Sequence, residues 1–149
     1  MNTELQIAIN DFLKKCPIDN AVAVTLTMKQ TGVWGNIDPM VASRNFRDFM
    51  NFLNKAVYKN AFMRYNKRLN VISVNEVRNR SHYHCVIEKP DRSYMSNHGF
   101  YVLLEACWKK TFYGYNENRI ATNIDHGWIN YITKFKDTND SIDWENTTY

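Results

Sequence analysis

Two histidines one residue apart, His82-Tyr83-His84, have the type and spacing to do chemistry. On a strand, side chains two apart share a face at roughly 7 Å, so both imidazoles can converge on one ion. Neutral imidazole is the commonest nitrogen ligand of transition metals. Such a pair also arises by chance in roughly one chain in ten with four histidines, so it needs further members. Glu76 supplies one. Leu69–Val77 and His82–Lys89 both read as strands, and the polar Arg78-Asn79-Arg80-Ser81 between them is a hairpin signal. A three-residue turn at 79–81 sets Glu76 opposite His84, and one at 78–80 sets it opposite His82. Either puts the carboxylate on the histidine face, whereas a two-residue turn puts it on the other. Two imidazoles, one carboxylate and open positions suit Mn²⁺ or Mg²⁺ holding a phosphate oxygen. A closed structural zinc site is disfavoured, because no nearby cysteine has the right geometry. His98 reads as a helix-start residue and His126 as a loop residue.

A second reactive position lies near the end of the chain. Trp128, Ile132 and Phe135 form the apolar stripe of a short helix over 128–135. Tyr131 flanks that stripe, where its hydroxyl can leave the core. Lys134 is one turn further on, toward the polar side. A phenol with a pKa near 10 is a poor nucleophile unless its anion is favoured, which an ammonium or a metal does. Ordinary aromatic packing is the competing reading for most of the nine tyrosines.

Other elements must position these groups. A short helix fits residues 3–15, and the alternating AVAVTLTM of 21–28 is a strand. Asp38-Pro39 starts a helix, with Phe46, Phe49, Met50, Leu53 and Val57 as its buried stripe and Arg44, Arg47, Lys55 and Lys59 outside it. A second helix over about 97–111 buries Phe100, Leu103, Leu104, Cys107 and Trp108, and 119–125 alternates as a fourth strand. The order after the first helix is β-α-β-β-α-β-α. Its first six elements predict an α+β fold, an antiparallel sheet of βαββαβ order with helices packed on one face.

Composition agrees with a folded domain: 44% of residues are hydrophobic and 14% aromatic. No apolar run is long enough to span a membrane, and the first 25 residues lack the pattern of a secretory signal. Three widely spaced cysteines read as free thiols of a reducing compartment. The net charge of +4 hides an asymmetry. Residues 137–149 hold four acids and no Lys or Arg, which leaves 19 basic against 11 acidic residues, a net +8, on residues 1–136. A basic body favours a polyanionic partner.

Together these residues resemble a known family. HYHCVIEKP is similar to the His-hydrophobic-His motif of HUH endonucleases of the rolling-circle replication initiator (Rep) type. VAVTLTM at 22–28 resembles their first strand motif, and Tyr131-Ile132-Thr133-Lys134 their YxxK motif. The three occur in family order between about 21 and 136, over a βαββαβ order that is also the family's. The resemblance implies a divalent ion, Mn²⁺ or Mg²⁺, on His82, His84 and Glu76, with Tyr131 as nucleophile and Lys134 assisting by charge. The implied activity is nicking and rejoining of single-stranded DNA at a replication origin, through a 5′-phosphotyrosine link. Phe135 stands where phage-type initiators often have a second tyrosine, which implies a single-tyrosine enzyme. The implied partners are single-stranded DNA or an origin hairpin, with a host helicase as a further candidate. No membrane is implied, and the setting is the cytoplasm of a prokaryote carrying a plasmid or phage. Arg64, Lys67, Arg68, Arg78 and Arg80 are candidate backbone contacts. The expected division is a nuclease domain over 1–136 and an acidic tail over 137–149. The rival readings are a single-tyrosine transposase and a non-catalytic RRM-like module, which would carry base-stacking aromatics on its central strands.

Overall fold

The computed structural model describes residues 3–29, 31–32, 35–76, 82–122, 124–125 and 140–149. Helix α1 (Thr3–Lys15) leads into strand β1 (Ala21–Thr27). A small ribbon of β2 (Thr31–Gly32) and β3 (Gly35–Asn36) follows, then α2 (Pro39–Tyr58) and the short α3 (Asn60–Tyr65). The hairpin strands β4 (Val71–Glu76) and β5 (His82–Glu88), helix α4 (Asn97–Lys110) and strands β6 (Arg119–Ala121) and β7 (Asp140–Ile142) complete it. The main sheet runs β6-β1-β5-β4-β7, and every neighbouring pair is antiparallel. The fold is α+β, and β1-α2-β4-β5-α4-β6 is the expected βαββαβ order. The expected helix over 128–135, which carries Tyr131 and Lys134, lies outside the described residues, as do Arg78 and Arg80 of the expected hairpin turn.

Alternation along the strands divides the apolar residues between two faces. Val22, Val24 and Leu26 of β1 and Tyr83, Cys85 and Ile87 of β5 point to α2 and α4. There they meet Phe46, Phe49, Leu53, Phe100, Leu104 and Trp108. Burial of each large side chain contributes about 1.5–3 kcal/mol before entropy is counted. The Asp38 carboxylate caps α2 by accepting from Val41 N at 2.8 Å, with Pro39 at the first helical position. Two buried amides on α2 then tie the layer together. Asn54 accepts from Leu69 N at 2.7 Å, and Asn45 accepts from Tyr113 N at 3.0 Å while donating to Thr111 Oγ1 at 3.0 Å.

The opposite face is only partly covered. Leu5, Ala8, Ile9 and Phe12 of α1 pack on Ile72 and Val74 of β4, Val86 of β5 and Ala21. So the two helices of the βαββαβ unit share one face, as expected, and the N-terminal helix takes the other. The acidic C-terminal stretch contributes β7 along the edge of β4, and Thr148 forms a bridge with Val71. Cys16, Cys85 and Cys107 are free and buried, and burial raises each thiol pKa, to about 12 for Cys16 and about 11 for Cys107.

Two backbone positions stand out. Lys59, between α2 and α3, has φ 50° and ψ −117°, a conformation that L residues rarely adopt and that costs of order 1–3 kcal/mol. Gly114 is packed so tightly that a Cβ there would sit 1.9 Å from the Trp108 carbonyl oxygen. Gly114→Ala is therefore expected to cost about 3 kcal/mol. Thermal denaturation followed by circular dichroism should show a midpoint roughly 6–12 °C lower.

Candidate metal centre

Strands β4 and β5 bring the three candidate ligands together. Their register sets Glu76 directly opposite His82 and Val74 opposite His84, the second of the two pairings expected from the sequence. Glu76, His82 and His84 therefore stand on one face, the face that α1 covers only in part. One carboxylate oxygen, Glu76 Oε2, lies 2.8 Å from His82 Nε2 and 2.5 Å from His84 Nε2. The two rings meet edge to face, with centroids 4.7 Å apart. The donor atoms of the three residues all lie within 4.8 Å of one another. Each side chain is about one-fifth exposed, so the cluster is held in place yet open to solvent.

The donor set fits a first-row divalent ion or Mg²⁺: two imidazole nitrogens and a carboxylate oxygen converge at a partly exposed position. The other ring nitrogen of His84 has its own partner. Thr25 on β1 sits directly across from His84, and its Oγ1 lies 3.2 Å from His84 Nδ1. A hydroxyl both donates and accepts, so Thr25 can orient the ring in either tautomer. With Nε2 on a metal, Nδ1 carries the proton and donates to Thr25, the usual arrangement behind a metal-bound imidazole. β1 itself is pinned at its end. Thr27, opposite His82, donates from Oγ1 to the Glu117 carbonyl at 2.6 Å, and its own carbonyl accepts from Trp108 Nε1 at 2.7 Å.

Tyr83, between the histidines, is turned the other way. It is fully buried, stacked on Phe46 at 4.4 Å, and its hydroxyl donates to Asp143 Oδ2 at 2.7 Å. Burial and the Asp143 carboxylate both push its pKa upward. The tyrosine nearest to the histidines in sequence is therefore on the wrong face and poorly disposed to ionise.

The register adds a residue that pattern reading passes over. Arg119 of β6 pairs with Thr25. Its neighbour Ile120 packs into the α2–α4 core, so Arg119 points to the metal-centre face, where it is exposed. A row Arg119–Thr25–His84 thus crosses three strands. Arg119 carries no motif signal, and Thr25 lies within the VAVTLTM stretch without being marked out by it; strand pairing places both beside His84. Among the expected DNA contacts, Arg64 and Lys67 are exposed at α3 and just after it, and Arg68 is partly buried. All three lie by the α2 layer, away from the histidine face. His98 sits in the first turn of α4 and is exposed.

The model of a replication-associated protein family, the ORF2 type, matches residues 21–138, more than half of the chain. The chain belongs to that family. No curated protein and no solved structure matches it. As a replication-associated protein it is tied to DNA replication, and the matched stretch contains Thr25, Glu76, His82, His84 and Arg119. Among the described residues of this replication-associated protein, no helix is long and apolar enough to cross a membrane.

Proposed function

We propose that this replication-associated protein is a metal-dependent HUH endonuclease that nicks and rejoins single-stranded DNA at a replication origin, with Tyr131 as nucleophile. The observation that carries the reading is the Glu76–His82–His84 cluster, open to solvent, in a chain of this family. A divalent ion held there, Mn²⁺ or Mg²⁺, would neutralise and orient a non-bridging oxygen of the scissile phosphate. Tyr131 attacks phosphorus in line. The bond from phosphorus to the 3′ oxygen breaks, the departing oxygen takes up a proton as a free 3′-hydroxyl, and a 5′-phosphotyrosine link remains. Lys134, one turn along, favours the phenolate by its charge. The link conserves the phosphodiester's free energy, so a 3′-hydroxyl can reverse the step and rejoin the strand without ATP. Arg119 is a candidate backbone contact beside the cluster.

The RRM-like reading has less support, because the described open-face positions of β1 and β5 hold Ala21, Ala23, Thr25 and Thr27, and His82, His84, Val86 and Glu88. None is a Phe, Tyr or Trp on which a base would stack.

Incubating the protein with Mn²⁺ and random-sequence single-stranded oligonucleotides tests the proposal. A protein–DNA species that survives a denaturing gel is expected; its absence across a library that includes hairpins contradicts nicking through a covalent link. Thr25→Val keeps the shape of the side chain and deletes the partner of His84 Nδ1. Calorimetry should show Mn²⁺ affinity falling about tenfold to a hundredfold.

A further inference from the structure

We propose that a basic groove on the outer side of α2 grips the phosphate backbone of DNA flanking the nick, a second nucleic-acid surface separate from the metal centre. The groove has a volume of about 610 Å³ and is lined by Lys55, Lys59, Arg68 and Lys110 together with Phe52 and Phe62. Residues 52, 55 and 56 recur at helical spacing along one stripe of α2, beside the buried stripe of Leu53 and Val57, and Lys59 follows directly after the helix ends. Lys110 joins them from the last turn of α4, and Arg68 from just beyond α3.

Two features make this more than a solvated helix face. No described lining residue is a carboxylate, so among the described residues no acid lines the groove beside its four cations. Two of the cations, Arg68 and Lys110, are also held by neutral groups. Arg68 donates to Asn51 Oδ1 at 3.1 Å and to Asn66 Oδ1 at 2.7 Å, and its guanidinium lies 4.9 Å from the Phe62 ring centre. Lys110 Nζ lies 4.6 Å from the Phe52 ring centre. These contacts orient the charges without cancelling them. They also occupy the two ring faces, so the groove suits phosphates rather than stacked bases. The strained backbone at Lys59 points the same way. Glycine would fit φ 50° at lower cost, yet this position carries a charge that faces the groove.

The occupant follows from charge complementarity: four cations call for a polyanion, and DNA is the polyanion of the function proposed above, on which this inference rests. α2 packs against the sheet face opposite the histidines. DNA held in the groove is therefore a different stretch from the one at the metal centre, as the flank of an origin hairpin would be.

The test is binding of a fluorescein-labelled DNA hairpin with a single-stranded tail, followed by anisotropy at several salt concentrations in EDTA. Without free metal no nicking interferes, so a failure of the nicking proposal leaves this readout intact. The triple variant Lys55→Gln, Lys59→Gln, Lys110→Gln is expected to bind roughly tenfold to a hundredfold more weakly at 0.15 M salt. Its slope of log affinity against log salt should be shallower by about 2–3. Lys59→Gly should raise the melting temperature while still flattening that slope by about 0.9. Wild-type slopes and affinities in both variants overturn the proposal. So does displacement of the hairpin by polyglutamate at equal charge concentration, which would make the groove a site for acidic protein.

Discussion

Tyr131→Phe is expected to bind DNA as the wild type does and to form no covalent protein–DNA species. The substitution deletes one oxygen and keeps the ring, so contacts that position the strand survive while the nucleophile is lost. Removing a nucleophile from a group of residues that act as a unit costs several orders of magnitude, and a fall of at least about 10³-fold in adduct formation is expected. Tyr83→Phe is the matched control. It removes one donor to the Asp143 carboxylate on the buried side of the sheet, leaving Asn146 Nδ2 at 2.7 Å as another. Stability should fall by about 1–3 kcal/mol while the adduct still forms. An adduct persisting in Tyr131→Phe on a denaturing gel would reject the assignment of the nucleophile.

Loss of nicking on removal of the metal, or of its imidazoles, is the second large effect. His82→Ala combined with His84→Ala leaves Glu76 as the single donor of the cluster, too few to hold a divalent ion near neutral pH. Both histidines are about one-fifth exposed and neither belongs to an apolar core, so the double variant should stay folded. Nicking is expected to fall at least about 10³-fold in the double variant and in wild type treated with EDTA. Excess Mn²⁺ should restore the wild type and leave the variant inactive. Undiminished nicking in EDTA would remove the metal from the mechanism.

The fold was legible wherever periodicity ran long enough. The stripe from Phe46 to Val57 and the Asp38-Pro39 start fixed α2 because each position has a single physical reading. The hairpin was legible down to two registers, and the observed one pairs Glu76 with His82. What escaped depends on partners rather than pattern. β7 is three residues long with one apolar side chain, Ile142, and it exists because β4 offers an open edge. The break between α2 and α3 has no Gly or Pro to announce it, since Lys59 itself takes the left-handed φ. Which face α1 would cover could not be read either, because an amphipathic helix fits any apolar strip. Thr25 and Arg119 joined the site only through cross-strand pairing.

The most direct test of the central claim is a calorimetric titration of the protein with Mn²⁺, in parallel with Glu76→Gln and His84→Ala. If Glu76, His82 and His84 are the ligands, the wild type takes up one ion per chain near neutral pH and each variant loses most of that affinity. A wild type that takes up no ion, or variants that titrate as it does, would contradict the account.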